Sequence, residues 1–137
     1  MKKWILISSL VVLAGCAEQT KTTDGESAKA CDRSVEVSVV NHADKKTLFE
    51  DEMCLTKSET ALDALEETDL AVVKTGKGDM SYVTAVDGIR EKSAGASSGW
   101  VFGVNDKPGQ VGAAAYELKD GDRLEWRFEK DAMAYFQ

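Results

Sequence analysis

Apolar and polar positions alternate most clearly near the end of the chain. In 99–105 (GWVFGVN), Trp100, Phe102 and Val104 share one side, and Val101, Gly103 and Asn105 share the other. In 123–128 (RLEWRF), Leu124, Trp126 and Phe128 alternate with Arg123, Glu125 and Arg127. A period of two with one apolar side predicts two strands, each burying one face. Residues 35–40 (VEVSVV) repeat the pattern, with Val35, Val37 and Val39 inward. A second run at 48–55 places Phe49, Met53 and Leu55 together, across a polar connection at 41–46. If these two runs form a hairpin, Val40 faces Thr47 and Cys54 lies opposite Arg33.

The period then changes. In 56–67 (TKSETALDALEE), Ala61, Leu62 and Leu65 fall on one stripe, Ser58 or Thr60 stands at the N-cap position, and Asp63 lies in the first turn. This predicts a helix of two to three turns whose apolar side lies on a sheet. Strand patterns resume at 70–74 and 80–86, separated by the glycine-containing turn 75–79 and followed by a turn at Asp87-Gly88. Residues 90–98 (REKSAGASS) read as a mobile surface loop. Asn105 to Gly109 reads as a turn, with Pro108 just past a strand end, and Lys119 to Asp122 reads as a hairpin-type turn. The expected fold is α+β: a β-grasp-like mixed sheet with one short helix packed on one face.

The first residues carry a different signal. Lys2 and Lys3 precede an apolar run at 4–13, which ends in Leu13-Ala14-Gly15-Cys16. The run is too short to span a bilayer, which needs about 20 apolar residues, and it fits a signal peptide. The ending resembles a bacterial lipobox. That predicts a lipoprotein signal peptide at 1–15, lipidation of Cys16, and a chain exported and anchored to the cell envelope. Alanine rather than aspartate at 17 points to the outer membrane if the host has two. Residues 17–30 lack any large apolar side chain and predict a flexible tether, so 16–30 is the lipidated tether, 31–131 the folded domain and 132–137 a tail.

Composition narrows the chemistry. Removing Lys2 and Lys3 from the 17 basic residues leaves 15 against 24 acidic ones, which argues against a nucleic-acid partner. Cys31 and Cys54, an even pair in an exported chain, predict a disulfide. No Gly-x-Ser-x-Gly is present, and His42 is the only histidine, so the chain is expected not to be an enzyme. His42 sits in the polar connection and reads as a solvated turn residue rather than an axial metal ligand. Asp120-Gly121-Asp122 reads as a turn, because two carboxylates fall short of the six to eight oxygens calcium takes.

The helix stretch 60–65, the stretch 82–88 (YVTAVDG), 98–105 (SGWVFGVN) and 116–126 (YELKDGDRLEW), in this order, resemble the transcobalamin C-terminal-like domain. That small β-grasp domain occurs in bacterial surface lipoproteins and as the second domain of animal cobalamin carriers. The resemblance covers about residues 34 to 129. It departs at Asn105-Asp106, where bacterial relatives generally carry Asn-Gly.

It implies a non-enzymatic module binding a soluble ligand such as cobalamin or a related corrinoid, with no resident cofactor. Trp100 and Phe102 would then form an aromatic platform, Asn105 and Tyr116 would bond the ligand's amide arms, and Tyr82 would be a second-rank contact. The competing expectation is an envelope scaffold that offers a sheet edge or acidic face to a protein partner, with its aromatics in the core.

Overall fold

The computed structural model describes residues 31–56 and 59–137. The signal peptide, Cys16 and the tether lie outside the described residues. Within them the chain is mainly β with one short helix, which is compatible with the expected α+β class. The described residues include no helix long and apolar enough to cross a membrane.

Strands β1 (Arg33–Asn41) and β2 (Lys46–Leu55) form the expected hairpin, with Val40 opposite Thr47. A register shift between Val39 and Val40 adds one residue to β2, so Cys54 faces Ser34 rather than Arg33. The Cys31–Cys54 disulfide forms, with Cα atoms 5.4 Å apart. Helix α1 (Ala61–Glu66) is shorter than its apolar stripe predicts. The Leu118 amide donates to the Glu59 carbonyl and Thr60 bridges to Glu117, so residues 59–60 are held extended and the helix begins only at 61. Thr60 is the N-cap. Its hydroxyl accepts from the Asp63 amide at 3.2 Å, while Asp63 accepts from the Thr60 amide at 2.9 Å.

Strand β3 (Val72–Thr75), a 3-10 turn at Gly78–Met80, β4 (Tyr82–Val86) and β5 (Ile89–Arg90) follow. Then come β6 (Gly99–Val104), β7 (Lys107–Pro108) and β8 (Arg123–Glu129). Two sheets result, rather than the single one expected: a mixed sheet in the order β2-β1-β8-β6-β7 and an antiparallel sheet β3-β4-β5. In the first, β1 runs parallel to β8, and β8 runs antiparallel to β6. Pro108 lies within β7 rather than past a strand. Because β7 is the sheet's edge, the missing N–H leaves no ladder bond unmade.

The turn at 119–122 does not join two strands as a hairpin would. Tyr116 to Leu118 pairs with residues 59–61 at the start of α1, Tyr116 O accepting from the Ala61 amide and Leu118 N donating to Glu59 O, and the turn docks on β1, with Gly121 N donating to the Ser34 carbonyl and Ser34 N donating to Asp120. Residues 90–98 lie at the surface but are tied into turns around buried Ser98, whose hydroxyl donates to Gly95 O and accepts from Ala94 N.

The inner face of the mixed sheet carries the core. Val35, Val37 and Val39 from β1, Leu124, Trp126 and Phe128 from β8, and Trp100, Phe102 and Val104 from β6 pack under Ala61, Leu62, Ala64 and Leu65 of α1. Each large buried side chain contributes roughly 2 kcal/mol by leaving water. Trp126 Nε1 donates to the Ala61 carbonyl at 3.0 Å, fastening the helix to the centre of the sheet. With α1 on one side, the opposite face of β2, β1 and β8 is left open.

Candidate functional site

The aromatic residues of β6 lie in the core. Trp100 is 9% exposed, packs on Phe128 at 5.4 Å between ring centroids, and donates its Nε1–H to the Ile89 carbonyl at 2.8 Å. Phe102 is 7% exposed and stands between Trp126 and Tyr116, at 5.5 and 5.7 Å. Gly109 closes over the Phe102 ring so tightly that a Cβ there would collide with it. Neither ring presents a free face to a flat ligand.

Asn105 is engaged in a latch between turns. Its Nδ2 donates to Asp122 Oδ1 at 2.9 Å, and its Oδ1 accepts from the Arg123 amide at 3.0 Å. Asp122 also accepts from the Lys119 amide, so its carboxylate closes the turn at 119–122. Asn105 and Asp106 both have positive φ, 52° and 65°, which is what a two-residue turn between β6 and β7 demands and why Asn-Gly is the usual pair. Tyr116 is half-buried against Phe102. Burial, and then the nearby Asp122 charge, push its hydroxyl above its ordinary pKa. Tyr82, 52% exposed, lies on the other sheet. The structure therefore brings Phe102 and Tyr116 together, gives Asn105 a latch role, and leaves Tyr82 apart.

A concavity lies on the open face of the mixed sheet, a groove of about 490 Å³. Its shape follows from register. Across the strands, Glu50, Ser38, Glu125 and Gly103 are successive partners, and the small residues Ser38 and Gly103 leave a trough in that row. On one side stands the row Glu52, Glu36, Arg123, and on the other stand Arg127 and Tyr135. The groove face holds five carboxylates, from Glu36, Glu50, Glu52, Asp106 and Glu125, against the guanidinium groups of Arg123 and Arg127, while Asp51, paired with inward-facing Val37, belongs to the other face of β2.

Both arginines are already engaged. Arg123 meets Asp106 at 2.6 Å, and Arg127 Nε lies 3.0 Å from Glu125 and 2.8 Å from Glu129. Among the described residues no cation stands at ion-pair distance from Glu36 or Glu50. Such a surface favours ligands that bring positive charge or hydrogen-bond donors, and it repels anions.

Two residues of this face take places that the sequence pattern does not predict. His42, expected in a solvated turn, is half-buried beside the groove wall. Its Nε2 lies 3.5 Å from Glu125, and its Nδ1 lies 3.9 Å from Glu129 and 3.3 Å from an Arg127 nitrogen. Tyr135, within the expected tail, sits under the Arg127 guanidinium at 4.6 Å, with its hydroxyl over Gly103. Burial raises the Tyr135 pKa; the Arg127 hydrogen bond and charge pull it back, and Glu125 and Glu129 raise it again. The alternation of 123–128 does predict that Glu125 and Arg127 face outward. Nothing local predicts which strand lies beside them. No group of three or more His, Cys, Asp or Glu is arranged to hold a metal among the described residues.

Residues 58–130 match the family described as "Domain of unknown function (DUF4430)". No curated protein matches the sequence. Among solved structures, the chain is similar to a "putative metal binding protein" from Ruminococcus gnavus ATCC 29149. The TM-score is 0.60 at 17% identity, over 72% of this chain and 97% of that one. It is also similar to Haptocorrin in complex with Cbi, with a TM-score of 0.59 at 20% identity, again over 72% of this chain. The match spans only 25% of the Haptocorrin chain. At these identities the likeness concerns the fold.

Proposed function

Starting from a chain that belongs to the DUF4430 family, a domain of unknown function, we propose that it is a lipid-anchored, non-enzymatic ligand-binding module of the cell envelope. In this reading the domain is a β-grasp of the transcobalamin C-terminal-like kind, and its ligand is a corrinoid or another soluble ring compound rich in hydrogen-bond donors. The observation that carries the proposal is the groove on the open sheet face, whose unneutralised carboxylates suit amide arms or cationic groups. The fold likeness to Haptocorrin, crystallised with Cbi, supports trying corrinoids first. The site moves from the Trp100 and Phe102 rings to the groove, because both rings are engaged in the core.

Calorimetric titration of residues 31–137 with cobalamin and with cobinamide tests the reading. A saturable signal weakened several-fold in a Glu36→Gln/Glu50→Gln variant is expected. Heat indistinguishable from buffer for both compounds refutes it.

A second reading is favoured by one feature, the ten-residue edge strand β2 with Glu50, Asp51 and Glu52 exposed along it. An envelope protein adding a strand there would make the chain a scaffold. Stoichiometric capture of a single envelope protein by the wild-type chain, lost when a proline replaces a central β2 residue, would support that alternative.

A further inference from the structure

The outward side of β6 is covered by the chain's own C-terminal end, and the way it is covered points to a moving part. Beyond β8 the chain turns back over β6. Ala132 lies over Gly99, the Tyr135 hydroxyl lies over Gly103, and Val101 between them is 8% exposed. A side chain at 103 would collide with the Tyr135 hydroxyl, so the absence of a Cβ there is what lets the segment seat.

The segment is closed upon itself. Asp131 Oδ1 accepts from the Met133 and Ala134 amides, and Phe136 N and Gln137 N donate to the Met133 and Ala134 carbonyls. Its main-chain tie to the rest of the described domain is one hydrogen bond, from Ala132 N to Ser97 O at 2.9 Å. Its larger apolar side chains, Met133 and Phe136, are 68% and 46% exposed and add little packing. What holds it down is chiefly Tyr135 against Arg127.

The seat does not depend on the segment. Arg127 is clamped by Glu125 and Glu129, which belong to its own strand, and Gly103 belongs to β6. When Tyr135 leaves, the guanidinium stays in position and no strand pairing is broken, because β8 ends at Glu129. Tyr135 is also the wall at the β6 end of the groove.

We propose that residues 131–137 form a displaceable strap: seated, it closes the groove at Gly103, and lifted, it extends the trough across β6. The motion stands on the strap's own contacts. Only its consequence for a ligand rests on the groove being the binding site, so the test uses no ligand.

Hydrogen exchange of the full chain, wild type and Tyr135→Ala, reads the strap directly. In the wild type, the 131–137 amides are expected to exchange at least about tenfold faster than those of β8, showing that the strap opens without the sheet. In Tyr135→Ala the strap loses its remaining protection while β6 and β8 keep theirs. The proposal is overturned if wild-type strap amides exchange at the rate of β8, or if Tyr135→Ala deprotects β6 and β8 together with the strap. Either result would make the segment an integral part of the sheet's packing.

Discussion

Asn105 offers the sharpest separation between a ligand contact and a structural latch. Asn105→Ala removes the bond to the Asp122 carboxylate and the bond from the Arg123 amide. A hydrogen bond to a charged group contributes about 1.5 to 3 kcal/mol and a neutral one about 1 kcal/mol, but Asn105 is exposed and water replaces part of each. Their combined loss is about 2 kcal/mol. The position also has φ of 52°, and alanine there adds about 1 kcal/mol that glycine does not.

The expected destabilisation is therefore about 3 kcal/mol for Asn105→Ala and about 2 kcal/mol for Asn105→Gly. With an unfolding entropy of about 0.22 kcal/mol per kelvin for the roughly 107 residues from Cys31 onward, these become falls in Tm of about 13 °C and about 9 °C. Thermal unfolding followed by circular dichroism measures both. Two variants that unfold within about 2 °C of the wild type would refute the latch. A glycine variant less stable than the alanine one would refute the strain argument.

Two further outcomes follow from the same structure. The Cys31–Cys54 bridge spans a sequence separation of 23, and removing such a loop constraint costs about 3 kcal/mol, so a Cys31→Ser/Cys54→Ser variant should lose about 13 °C in Tm; a loss below about 5 °C would show that the β1–β2 hairpin is equally well held without it. At alkaline pH, Tyr116 and Tyr135 keep their protons above the ordinary value of 10.0, so the unfolded chain ionises first and their contribution, complete below about pH 10, fades as pH rises through the folded values. Urea unfolding between about pH 9.5 and 11 should show a steeper loss for the wild type than for Tyr116→Phe/Tyr135→Phe, and equal slopes would refute the tyrosine assignment.

Much of the fold can be read locally. The alternation of Val35, Val37 and Val39, and of Leu124, Trp126 and Phe128, states which face is buried, because successive strand side chains point to opposite sides whatever the partner strand. The hairpin pairing and the disulfide follow from loop length and an even cysteine count. The error of one residue at Cys54 comes from a bulge at Val39/Val40 that no pattern marks. The length of α1 is not readable from its stripe, because the extended conformation at 59–60 is imposed by a segment more than fifty residues away. The candidate site is harder still. Trp100 and Phe102 look alike in sequence whether they form a platform or a core, and only the closure of Gly109 and the packing of Phe128 and Trp126 decide it.

The sequence alone determined which side of each main strand is apolar, where the chain turns, and that the surface is acidic, since these depend on neighbours in the chain and on composition. Tertiary structure decided that β1 lies parallel to β8, which sets Glu50, Ser38, Glu125 and Gly103 in one row and makes a groove. It also decided that Tyr135 rests on Gly103 and Arg127. Pairings between residues 38 and 125, or 103 and 135, are contacts between distant segments. Their free energy comes from the packing of the whole sheet, and no local propensity carries a record of it.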